Sequence, residues 1–402
     1  MTARPQSPVA PVLLALFLTA GAFKSLGPLG ALPVDVTLLL ALLVATATAH
    51  RVLADRFVVP SPAAGLLLLV AWVPPLLWSS LSGYSSAKVG ALFTLTALAI
   101  LATPILLRSA ADVRSFFHAL AAVGVVTAVA ALTSSGDHPE LYGRLATAGG
   151  NTITLGRTTA VALLWMLLLL FRRGCRAPTA VVLLVGVALT AAALVGSGSR
   201  GPALGLLVAM TATIVITDRF NAPRSLRLLV SLVGATAFAW LALAAAPESV
   251  VNRFENFTTG TGRPALLADA LALVPANPLG VGWGDFGLEA GLASAEERVY
   301  PHNFVVESAV EAGLVGVIAI IVCTGLALHR ARARMRLGPE YEALFALLCF
   351  TTLNALVSGD LNDNRLWLAL VALAIAAPRA QAVVAQRRVA SGAGAQLSRR
   401  MS

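Results

Sequence analysis

Long apolar runs, each closed by a short charged or turn-rich break, repeat along the whole chain. A bilayer core needs about 20 helical residues to span it. On that measure the runs predict about twelve membrane helices, near 9–23, 33–49, 58–78, 89–107, 115–132, 153–171, 178–195, 202–217, 226–246, 304–328, 341–357 and 366–383. The fold class is therefore all-α. Residues 1–383 form one transmembrane domain, and 384–402 form a basic tail.

Most breaks are short. The exception is 247–303, between the ninth and tenth runs, and loops of this length in a compact protein are usually functional or disordered. From Arg263 it reads RPALLADALALV, with Leu266, Leu267, Ala270, Leu271 and Val274 on one helical face before Pro275 and Pro278. This predicts a short amphipathic helix along the membrane interface or lidding a cavity. The segment then passes through NPLGVGWGDF to YPHN at the start of the next run.

Composition agrees with a membrane solvent. Of 402 residues, 58% are hydrophobic and 12% charged, against roughly 25% charged in soluble domains. The net charge is +10, carried almost wholly by arginine. Because the arginines lie between apolar runs, they indicate topology and not nucleic-acid binding. With the N-terminus in the cytoplasm and the runs alternating, most basic residues fall inside. The outer side keeps Lys24, Lys88, Arg144, Arg157, Arg200, Arg253, Arg263, Arg298 and Arg365. Both termini are then cytoplasmic, and topology gives no reason for the outer arginines. Cys175, Cys323 and Cys349 have no ligand spacing and read as small packing residues.

Four outer elements carry candidate chemistry. Arg144 precedes GGNTITLGR, which ends at Arg157, and Arg200 sits in GSGSRG. Gly196, Gly198 and Gly201 formally satisfy the dinucleotide fingerprint, but that motif needs a βαβ unit and here joins two membrane runs. Arg263 opens the amphipathic helix. His302 and Asn303 stand at the tenth run, followed by Glu307 and Glu311 inside it, where acids are costly and usually paired or functional. Metalloprotease, serine hydrolase, Walker and D-x-D patterns are absent. Arginines bind phosphate oxygens without a metal, and a neutral histidine accepts a hydroxyl proton. The set fits transfer from a pyrophosphate-linked donor to a hydroxyl, with no metal and no cofactor.

RLATAGGNTITLGR, SGSRG, Arg263 followed by NPLGVGWGDF, and PHNFVVESAVEAGLVG together resemble the O-antigen ligase and polymerase family of bacterial cell envelopes. The resemblance covers about residues 140–325 by motif. It implies a GT-C-like, metal-independent glycosyltransferase of the bacterial inner membrane with its active site on the periplasmic face. The donor would be a glycan on undecaprenyl pyrophosphate and the acceptor a second glycan such as the lipid A core. Carried over by motif, Arg200 and Arg263 would hold the pyrophosphate, His302 would activate the acceptor hydroxyl, and Arg144 and Arg157 would support them. A polymerase would share this chemistry. A transporter of lipid-linked sugars is the alternative from another class; the crowding of polar residues on one face argues against alternating access.

Overall fold

The computed structural model describes residues 8–54, 63–133, 144–147, 150–172, 175–217, 223–244 and 262–376. Arg253, His138, most of the segment before Arg263, and the basic tail lie outside them. The described chain is helical: α1 Val9–Thr19, α2 Val36–Ala54, α3 Ala63–Ala71, α4 Gly83–Leu106, α5 Ala110–Thr133, α6 Thr152–Leu170, α7 Ala177–Gly196, α8 Arg200–Ile216, α9 Arg224–Ala244, α10 Arg263–Leu273, α11 Phe304–Arg334, α12 Pro339–Val357 and α13 Arg365–Ala376.

Among the described residues, seven helices are long and apolar enough to cross a membrane: α2, α4, α5, α6, α7, α11 with its 3₁₀ extension, and α12. Shorter apolar helices lie at Val9–Ala22, Gly65–Leu77, Arg200–Ile216 and Ser225–Gly234. The seven are fewer than the twelve runs because several runs fold as shorter helices, and the run at 366–383 is described only to Ala376. The start of α4 at Gly83 also extends the run expected from 89.

Local signals explain the helix starts. Asn151 and Asn303 accept N–H bonds from the first turns of α6 and α11, as N-caps do. Proline occupies the first turns of α7, α10 and α12, where its missing N–H costs nothing. Close helix contacts use small residues: a Cβ on Gly124 would stand 2.3 Å from that of Ala162, pinning α5 to α6. From Trp367 to Ile375, α13 is buried on all sides and forms the centre of the bundle. By contrast, α9 exposes Leu226, Leu228, Leu229, Val230, Leu232 and Val233, a surface suited to lipid. α10 forms where the pattern predicts, but it buries Ala270 with Leu266, Leu273 and Val274 partly covered. Leu271 stays exposed.

The run entering α11 is not one continuous helix. Gly313 has φ 66° and ψ −165°, a conformation essentially restricted to glycine. The NPLGVGWGDF segment fills the break: Val281 N–H donates to Val310 O at 2.8 Å, Gly282 N–H to Glu311 O at 3.1 Å, and Leu314 N–H to Pro278 O at 2.9 Å. The same segment anchors the approach to α4. Trp283 Nε1 donates to Trp72 O at 2.9 Å, and Ser80 donates its N–H and hydroxyl to the Asp285 carboxylate at 2.7 and 2.6 Å. The glycine-rich motif is thus a backbone clamp.

Candidate active site

The N-terminal ends of α6, α8, α10, α11 and α13 and the C-terminal end of α12 gather at one end of the bundle. There a cavity of about 280 Å³ is lined by Arg157, Arg298, Tyr300, His302, Asp363 and Arg365, among others.

His302 has φ 59°, a left-handed conformation uncommon outside glycine. Tyr300 packs against His302 with ring centroids 4.2 Å apart. The Arg298 guanidinium lies 4.9 Å from the Tyr300 ring centre and bridges Asp360 at 3.1 Å and Asp363 at 2.6 Å. A chain of contacts therefore runs from two carboxylates through Arg298 and Tyr300 to His302. His302 Nδ1 is buried with no hydrogen-bond partner among the described residues.

The electrostatics follow from this packing. Burial, then the positive charges of Arg263 and Arg298, push His302 down to about 4, with Asp360 pulling the other way. The ring is neutral at pH 7. Burial opposes the charge on Arg298, but Asp360 and Asp363 more than offset it and hold the guanidinium above its ordinary range. Burial also opposes ionisation of Asp360, yet Lys88 and Arg298 keep it below the usual carboxylate range; Asp363 is raised, by burial and then by Asp360.

The predicted arginines separate into groups. Arg157 lines the cavity and donates to Ser358 O at 2.6 Å. Its Nε is buried without a partner. A Cβ on Gly359 would stand 3.2 Å from both of its terminal nitrogens, so glycine there makes room for the guanidinium. Arg263 is not among the cavity-lining residues but donates to Val357 O at 3.1 Å, beside Ser358, and its charge reaches His302. Arg200 is half-buried at the start of α8 and outside the cavity lining. Arg144 donates to Ser197 O at 2.8 Å and also bonds the Thr152 and Ser199 hydroxyls. It straps the 196–199 turn to the start of α6. The motif arginines are thus spread across one end of the bundle, and Arg157 is the one in the cavity wall.

Sequence reading missed Arg298, Tyr300, Asp360, Asp363 and Arg365 as site residues. Arg298 and Arg365 were visible as outer charges without a topological role. The polar stretch SGDLNDNR between two apolar runs was the other available signal. Glu307 and Glu311 fit the expectation of paired intramembrane acids: each carboxylate lies 2.6 Å from Lys88 Nζ.

Residues 185–321 match the family model described as O-antigen ligase. A 145-residue stretch is also 30% identical to a protein of Pseudomonas aeruginosa named O-antigen ligase, covering 36% of this chain and 33% of that protein. The chain thus spans about a third of the length of the curated relative it matches. The O-antigen ligase match includes Arg200, Arg263, the 278–284 clamp, Arg298, Tyr300, His302 and the break at Gly313. Arg157, Asp360, Asp363 and Arg365 lie outside it and join the matched residues only through the fold. The match agrees with the resemblance read from the four motifs.

Proposed function

We propose that this chain is a glycan ligase that moves a glycan from undecaprenyl pyrophosphate to a hydroxyl of a second, surface-destined glycan such as the lipid A core. In this reading the acceptor oxygen attacks the anomeric carbon of the donor sugar, and the bond from that carbon to the pyrophosphate oxygen breaks. The leaving undecaprenyl pyrophosphate keeps the electron pair, and the acceptor proton passes to His302. The observation that carries the reading is a neutral His302 in the wall of a cavity shared with Arg157, Arg298 and Arg365. A general base must be unprotonated and within reach of its proton, and guanidinium groups stabilise charge developing on a phosphate leaving group.

Arg157 lines this cavity, and the charge of Arg263 acts on His302. Arg200 takes its role at the pyrophosphate from the family resemblance, while Arg144 holds the turn that presents Arg200. No metal is assigned a role, because the arginines supply the positive charge. The bias of basic residues toward one side supports a bacterial inner-membrane protein with cytoplasmic termini and the His302 end on the periplasmic face. The name of the Pseudomonas aeruginosa relative, O-antigen ligase, favours ligase over polymerase.

The test is transfer by the purified chain from a synthetic polyprenyl-pyrophosphate glycan to an isolated acceptor glycan. Wild-type protein should consume donor only with acceptor present, and His302→Gln should lose about 10²–10⁴-fold of the rate. Near-full transfer by His302→Gln would overturn the assignment.

A further inference from the structure

At the far end of α11 from His302 the chain reads HRARARMR, residues 329–336. A helix of this length rises roughly 1.5 Å per residue, so the two ends lie on opposite sides of the bundle. The arginines there divide by helical face. Arg330 and Arg334 donate to Ile375 O and Ala374 O, closing the last turn of α13. His329 and Arg332, i and i+3 on a second face, and Arg336 in the 3₁₀ turn Met335–Leu337 that follows line a separate cavity of about 550 Å³ with Ile216, Thr217 and Glu342.

We propose that this second cavity binds the phosphodiester headgroup of an anionic membrane lipid, with a glycerol-type headgroup preferred. The cations supply donors for phosphate oxygens. Glu342, whose Oε1 accepts the Thr217 hydroxyl at 2.7 Å, places a carboxylate on the wall suited to accept from headgroup hydroxyls. A bare phosphate has no such hydroxyl chain, and a choline headgroup offers no hydrogen-bond donor. The neighbouring surfaces fit acyl chains: α8 exposes Leu204 and Val208, and α9 exposes its row of leucines and valines. Basic pockets between helices at the bilayer boundary are suited to anionic headgroups.

The site is independent of the transferase reading and is tested by binding. The full chain, purified in detergent and stripped of lipid, is titrated with short-chain phosphatidylglycerol, phosphatidylcholine or inorganic phosphate and followed by native mass spectrometry and thermal unfolding. Phosphatidylglycerol should bind and raise the unfolding midpoint, and phosphatidylcholine should do neither. The exposed pair Arg332→Gln and Arg336→Gln should weaken phosphatidylglycerol binding about ten- to thirtyfold. Arg330→Gln with Arg334→Gln should lower stability but leave the affinity within about twofold. Equal binding of the two lipids, or undiminished binding by the Arg332 and Arg336 variant, overturns the proposal. Saturation by inorganic phosphate at the concentrations that saturate phosphatidylglycerol overturns the lipid assignment in favour of a small-anion site.

Discussion

Lys88 Nζ lies 2.6 Å from Glu307 Oε1, and both side chains are wholly removed from solvent. Glu311 Oε2 is equally close to the same ammonium group, and Leu361 N–H donates to Glu307 Oε1 at 3.2 Å. The trio joins α4 and α11 to the 358–364 segment behind the His302 cavity. Removing one partner of a buried ion pair strands the other charge, at about 3–5 kcal/mol. Lys88→Met should therefore unfold at a much lower temperature or fail to accumulate. Adding Glu307→Gln and Glu311→Gln should restore part of the loss, because the stranded carboxylates are then neutral. Unfolding of Lys88→Met at the wild-type midpoint would remove the trio from the account of stability.

A second prediction concerns acid. With His302 held near 4, transfer should stay level from neutral pH to about 5 and fall only as His302 protonates nearer 4. Stability carries the same signature. Between about 4 and 6.5 the unfolded chain binds a proton at this position that the folded chain does not, so stability is lost as pH falls through that window and is fully present above it. His302→Gln should show less loss of unfolding midpoint between pH 7 and pH 5 than wild type. Identical pH dependence in the two proteins would contradict the buried, neutral ring.

Arg298 should tune that limb. Its charge is one of the two that depress His302. Arg298→Gln should move the acid limb of the rate upward, toward 6.5, while Asp360→Asn should not raise it. A limb that stays in place in Arg298→Gln would show that Arg298 and His302 do not communicate.

Arg200 and Arg263 should not tolerate lysine, which loses the planar fork that meets two phosphate oxygens. A lost charged contact costs about 1.5–3 kcal/mol, roughly tenfold or more in rate at subsaturating donor. Arg157→Lys should behave alike. Wild-type turnover by all three lysine variants would leave the pyrophosphate without a binding partner among them.

Transfer should survive chelation. Loss of activity in EDTA, restored by magnesium or manganese, would mean that a metal shares the phosphate charge with the arginines.

How far these features could be read in advance varies with their range along the chain. The helical class, the helix at Arg263–Leu273 and the Asn303 cap come from local periodicity and side-chain chemistry. Gly313 did not stand out, because the apolar pattern runs on unbroken and the break is imposed by N–H groups some thirty residues upstream. Arg144 appeared equivalent to Arg157, yet one is consumed by the Ser197 carbonyl and the other faces a cavity. The Arg298 bridge to Asp360 and Asp363 joins parts of the chain about 60 residues apart, and spacing alone cannot indicate such a meeting. Leu271 stays exposed because α10 packs on α11 through Leu266, Ala270, Leu273 and Val274.

The break at Gly313 also has a consequence for biogenesis. In an unbroken helix the Leu314 N–H would bond Val310 O; here it reaches Pro278 O, and Val281 takes the Val310 carbonyl. Translation delivers 278–285 before α11 exists, and the partners of Trp283 and Asp285, at Trp72 and Ser80, earlier still. α11 is therefore completed against a template already synthesised, and its two halves cannot be inserted as an autonomous hairpin with α12. Without 278–285, the backbone groups at the bend would lack the partners they have here.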